Sequence, residues 1–134
     1  MRERIDRQSS LRLEYRDSRG WTPLHFCCSS KFVGFLHALE TFIEYGEANG
    51  NLGIMVRQQT HNGNTPIHYL AQNTHFDPSE DSKYIQILTR LVTTRSVLKL
   101  TNKLGRHALH NAASASNTPA IVALQVRVRR RGSF

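Results

Sequence analysis

The chain has 134 residues, with 18 Lys and Arg against 10 Asp and Glu, a formal net charge of +8, and 39% hydrophobic residues. That length fits one ordinary domain or a short repeat array, and no apolar run approaches the roughly 20 residues of a membrane-spanning helix. Residues 1–16 are too polar for a secretory leader, Cys27 and Cys28 are adjacent and poorly placed to bridge one another, and no Asn-x-Ser/Thr site occurs, all of which points to a reducing intracellular compartment.

The first predicted element begins at a turn. Asp17, Ser18, Arg19 and Gly20 precede Trp21, Thr22, Pro23, Leu24 and His25. Gly20 can take the positive φ that a tight turn needs. Thr22 is a hydroxyl N-cap, and Pro23 stands where a missing N–H costs nothing. A short helix is therefore predicted through Cys28, with Leu24 inward. Phe32, Phe35, Leu36, Leu39, Phe42 and Ile43 follow at helical spacing, which predicts a second helix over residues 32–45 stopped by a left-handed Gly46.

The same order of residues returns twice. Thr60, His61, Asn62, Gly63 and Asn64 lead into Thr65, Pro66, Ile67 and His68, and a second helix follows through Tyr84, Ile85, Ile87, Leu88, Leu91 and Val92. Asn102, Lys103, Leu104, Gly105 and Arg106 lead into His107, Ala108, Leu109 and His110. Thr118 and Pro119 then start a last helix with Ile121, Val122 and Leu124 as its apolar face. The pairs Cys27-Cys28, Leu70-Ala71 and Ala112-Ala113 are mostly small, which suits helices pressed closely together.

Three copies of a Gly-x-Thr-Pro-Leu-His type of signature resemble ankyrin repeats, over residues 17–124. The resemblance implies an all-α chain, an ankyrin-repeat solenoid of helix pairs with projecting β-turn fingers. Its repeat domain would span 17–126, as repeats 17–59, 60–101 and 102–126, between a polar basic segment 1–16 and a basic tail 127–134. It also implies that His25, His68 and His110 tighten each turn by bonding the cap and a neighbouring repeat's backbone. The repeat starts lie 43 residues apart (22 to 65) and 42 apart (65 to 107), against a usual period of about 33. The extra length is expected after Gly46, in the finger, and at residues 73–82, between the helices of the second unit. His107 and Ala108 replace Thr-Pro, so the third cap is expected to be weaker. A complete polar capping repeat is not visible, and three repeats sit near the minimum for independent stability.

Candidate chemistry is sparse. Equivalent positions on successive helices lie about 8–10 Å apart, whereas zinc ligands must converge to about 2 Å, so the three histidines are not expected to hold a metal. His25 and Cys27 are two apart on a helix and face different ways, so no nucleophile–base pair is expected. There is no Gly-rich phosphate loop, His-Glu-x-x-His, Cys-x-x-Cys or nucleophile elbow. Glu40 and Glu44 read as a solvated outer face. No enzymatic activity and no cofactor are expected.

The resemblance implies instead a non-catalytic scaffold or adaptor, a cytoplasmic or nuclear monomer that binds another protein or peptide. Carried over position by position, the contact residues would be Arg19 and Trp21, then His61, Asn62 and Asn64, then Lys103 and Arg106 on the fingers, with Phe26 and Tyr69 on the inner helices. The alternative is an electrostatic binder of nucleic acid or anionic membrane. It would use the tail arginines (Arg127, Arg129, Arg130, Arg131) and the acid-free stretch 83–106, which carries Lys83, Arg90, Arg95, Lys99, Lys103 and Arg106.

Overall fold

Three turns are built alike. Asp17, Thr60 and Asn102 occupy equivalent positions, and each backbone N–H donates across its turn, to Trp21, Asn64 and Arg106 carbonyls at 2.9, 2.9 and 3.0 Å. Their side chains support the same bend. Asp17 Oδ1 accepts from the N–H groups of Arg19 (2.8 Å) and Trp21 (2.9 Å). Thr60 Oγ1 accepts from Asn64 at 3.3 Å. Asn102 Oδ1 accepts from Leu104 at 3.0 Å and Arg106 at 3.1 Å. Neighbouring turns are then bonded to each other. The His61 N–H donates to the Arg19 carbonyl and the Lys103 N–H to the Asn62 carbonyl, both at 2.9 Å. The three turns therefore lie side by side in register.

The computed structural model describes residues 15–129, and side chains only as far as residue 125. Helices follow each turn: α1 (Pro23–Cys28), α2 (Phe35–Asn49), α3 (Leu52–Met55), α4 (Pro66–Gln72), α5 (Asp81–Leu91), α6 (Ala108–Ser114) and α7 (Thr118–Arg129), with 3-10 turns at Pro78–Glu80 and Arg95–Lys99. Among the described residues there is no strand. Helices α1, α4 and α6 pack in sequence as one layer, and α2, α5 and α7 as a second layer behind it. Between them Leu24, Leu36, Leu39, Ile43, Ile67, Leu70, Ile87, Leu88, Leu91 and Leu124 are buried. Each such side chain contributes roughly 1.5–3 kcal/mol on leaving water, so the seam between layers is the main source of stability.

Polar side chains join the units at three levels. Asn73 Nδ2 donates to the carbonyls of Cys28 (2.9 Å) and Ser30 (2.8 Å), and Asn117 Nδ2 to those of Ala71 (2.8 Å) and Asn73 (3.1 Å). Each asparagine thus satisfies carbonyls left open where the preceding unit's inner helix ends. The buried Tyr84 hydroxyl donates to the Leu70 carbonyl and accepts from Asn117 Nδ2 at 3.0 Å. On the outer layer Lys83 pairs with Glu40 at 3.2 Å and Arg90 with Glu47 at 2.6 Å.

Four expectations are corrected. Gly46 does not stop α2. The helix continues to Asn49, and Gly50 takes the left-handed conformation at φ 71°. Gly46 is buried because α3 lies against it; a Cβ there would come within 3.2 Å of Leu52 Cδ1 and Met55 Sδ. Residues 47–56 accordingly extend α2 and form α3, which buries Leu52, Met55 and Val56, instead of lengthening a finger. Phe32 leaves the apolar stripe, 81% exposed, because residues 32–34 form a turn held by Ser30 Oγ and the Phe32 carbonyl. On α7, Val122 faces solvent while Ala120 and Ala123 join Leu124 in the core, since small side chains allow α7 close to its neighbours.

Gly63 sits at φ +84°, and a Cβ there would lie 2.9 Å from both Asn102 Cα and the Lys103 N. Gly105, at φ +74°, has nothing within 4 Å. Gly105→Ala is expected to cost about 1–2 kcal/mol from backbone strain alone. Gly63→Ala should cost clearly more, because it also pushes the third turn away. Urea denaturation of the two variants checks this; equal losses would contradict the packing of the turns.

Candidate functional site

Each turn is tied to the next by a buried histidine. Nδ1 of His25 accepts from the Thr22 N–H at 2.9 Å and lies 2.8 Å from Thr22 Oγ1. Its Nε2 faces the carbonyls of Gln58 (3.0 Å) and Asn64 (3.2 Å), so the ring proton sits on Nε2 and is donated there. His68 repeats this arrangement, with Thr65 N–H to Nδ1 at 3.1 Å and Nε2 to the Arg106 carbonyl at 2.9 Å. His110 repeats the near half, its Nδ1 accepting from the His107 N–H at 2.9 Å, and its ring is exposed. Burial pushes the His25 pKa down to about 4 against the pull of the two carbonyls, and lowers that of His68 as well. Burial raises the Cys27 thiol to about 11 and raises that of Cys28 as well, which is the opposite of nucleophile activation.

A partly exposed aromatic cluster lies on the first turn and α1. The Trp21 ring is 5.0 Å from Phe26 and 4.5 Å from Tyr69, centroid to centroid. Arg19 lies over Trp21 at 4.8 Å and within 5.9 Å of Phe26. Its guanidinium also meets Asp17 Oδ2 at 3.5 Å, and the side chain remains 62% exposed. Phe26 is 47% exposed. Arg19, Trp21 and Phe26 thus form one surface cluster that spans a finger and an inner helix.

The other anticipated residues separate into two groups. His61, Asn62, Lys103 and Arg106 are exposed along the turns. Tyr69 is only 7% exposed, beneath Trp21, and its hydroxyl receives Asn64 Nδ2 at 3.4 Å. Asn64 Oδ1 accepts from Asn102 Nδ2 at 3.0 Å. Tyr69 and Asn64 therefore brace one unit against another and offer little free surface. Asn111, on α6, does the same, donating to Gln72 Oε1 at 3.1 Å. The tail arginines' side chains and residues 1–14 lie outside the described residues.

Residues not singled out in the sequence also shape the surface. An open cleft of about 340 Å³ lies between the α1–α2 loop and the α4–α5 connection, lined by Lys31, Val33, Thr74, His75, Phe76 and Asp77. Nothing in the spacing of residues 73–82 pointed to it beyond their being inserted between two helices. Among the described residues no three His, Cys, Asp or Glu side chains converge as a metal site, and no helix is long and apolar enough to cross a membrane. No protein-family model matches the chain, and no curated protein matches it. The functional reading therefore rests on the geometry.

Protonating His25 would place a proton on Nδ1, against the Thr22 N–H. The unfolded chain, with histidine near its ordinary pKa of about 6.5, takes up protons before the folded one does. Stability is therefore full above about pH 6.5 and is lost as pH falls toward about 4, by up to roughly 3 kcal/mol from His25. The lowered pKa of His68 adds loss in the same direction. Urea midpoints measured across that range check this; a flat profile would contradict the histidine geometry.

Proposed function

We propose that this chain is an ankyrin-repeat scaffold, a non-catalytic cytoplasmic adaptor that binds another protein or peptide across its fingers and inner helices. The observation that carries this reading is the Arg19–Trp21–Phe26 cluster, exposed on a turn whose backbone is bonded to the next turn. Aromatic and arginine side chains are the commonest energetic centres of protein interfaces. Here they sit on a prearranged backbone, which lowers the entropy cost of association. The repeated turn, the cap and the histidine link support the ankyrin assignment, because each recurs at the same position of successive units.

The electrostatic alternative draws less support. Lys83 and Arg90 are engaged by Glu40 and Glu47 of α2, so the 83–106 stretch presents fewer free cations than its sequence suggests.

Phe26→Ser and Arg19→Ser are each expected to weaken partner binding by about 1–3 kcal/mol, with the thermal midpoint nearly unchanged. Trp21→Ala should lower both affinity and stability, since Trp21 also covers Tyr69 of the second unit. Calorimetric titration with a partner isolated on the full chain checks this. Unchanged affinity in the first two variants would rule out the cluster as the contact site.

A further inference from the structure

We infer that the row of fingers is selective for an acidic peptide segment that carries an apolar side chain among its carboxylates. This rests on the scaffold reading and names the partner class for that same surface. Net positive charge is concentrated on the fingers. The fingers and the segments that feed them (residues 15–21, 57–64 and 99–106) hold Arg16, Arg19, Arg57, Lys99, Lys103 and Arg106 against one carboxylate, Asp17. Asp17 is occupied within its own turn by the N–H groups of Arg19 and Trp21, and those bonds hold its carboxyl below the usual range. The remaining described carboxylates lie elsewhere. Glu40, Glu44 and Glu47 are on α2, and Asp77, Glu80 and Asp81 are at the α4–α5 connection and the start of α5. An acidic segment approaching the fingers therefore meets attraction, whereas on the outer layer Lys83 and Arg90 offset Glu40 and Glu47 and leave no comparable excess of positive charge among the described side chains.

The arrangement of donors suits carboxylates. Arg19 has five N–H donors, and its acidic contact, Asp17 Oδ2, is a loose one at 3.5 Å. A guanidinium resting over an aromatic ring keeps N–H groups available for a two-pronged bond to a carboxylate. The cross-turn bonds at His61 and Lys103 fix the spacing between successive finger tips, so the charges are presented at set intervals. Apolar surface is interleaved with the cations. Phe26 is 47% exposed beside Arg19, and Leu104 is 75% exposed beside Lys103.

A nucleic acid fits less well. Single strands bind cationic grooves by stacking bases on open aromatic faces. The Trp21 ring is crowded by Arg19, Phe26 and Tyr69, all within 5.0 Å. A phosphate backbone also has nothing apolar to place on Phe26 or Leu104.

The test is selection from an unbiased displayed random-peptide library on the full-length chain. In that chain Arg127, Arg129, Arg130 and Arg131 are replaced by Gln, so that the tail cannot capture acidic sequences. The expected result is a set of peptides enriched in Asp and Glu around an aliphatic or aromatic residue. Their affinity should fall about tenfold or more with Arg19→Ser or with Lys103→Glu. Peptides without acidic enrichment that still lose affinity with Phe26→Ser would overturn the acidic partner class and leave the scaffold reading standing. Peptides indifferent to Phe26→Ser and Arg19→Ser, or no selected peptides, would overturn both. A fluorescent single-stranded oligonucleotide that binds this chain as tightly as the best peptide would overturn the acidic-peptide inference in favour of nucleic acid.

Discussion

A neutral imidazole buried between consecutive units is the interaction on which the rest depends. His25 accepts from its own helix cap with one nitrogen and donates to the next unit's backbone with the other. His68 does the same one unit along. Each ring therefore fixes two things at once, the entry angle of a helix and the position of the following turn. A buried polar group is costly unless it is satisfied. Displacing the next turn would strand Nε2 without a carbonyl, so the arrangement is held from both sides. Once the turns are in register, the inner helices align, and the outer helices close the apolar seam behind them.

The same logic explains why so many junctions between units are polar at their edges. Asn73 and Asn117 reach back to carbonyls at the end of the previous inner helix. Tyr84 and Asn117 share a bond in the interior. The apolar seam supplies most of the energy, and it is tolerant of small slides. The directional bonds select one register among those the seam would allow. A fixed register also sets Arg19, His61 and Lys103, which belong to three different turns, at constant spacing.

Much of this was legible in the sequence, because its causes are local. Thr22, Pro23 and His25 determine a helix start within four residues, and the copy at Thr65, Pro66 and His68 repeats it. What escaped was decided by partners far along the chain. Gly46 and Gly50 are both plausible helix stops, and the burial of Leu52 and Met55 against Gly46 settles between them. Tyr69 reads as a surface aromatic until Trp21 of the preceding unit covers it. Lys83 and Arg90 read as free cations, yet each pairs with a glutamate 43 positions earlier, the same spacing as Thr22 to Thr65. Laying successive repeats over one another would have found those pairs, and the contact of Asn73 with Ser30 as well.

Hydrogen exchange at two amides tests the stacking of the units most directly. His61 and Lys103 are exposed residues at turn tips, and their N–H groups are bonded only across the junctions, to Arg19 and Asn62. Both are expected to exchange slowly, with opening free energies close to those of buried amides in α4 and α5. Exchange at the rate of an unstructured peptide, with the helices still protected, would show that the turns do not lie side by side.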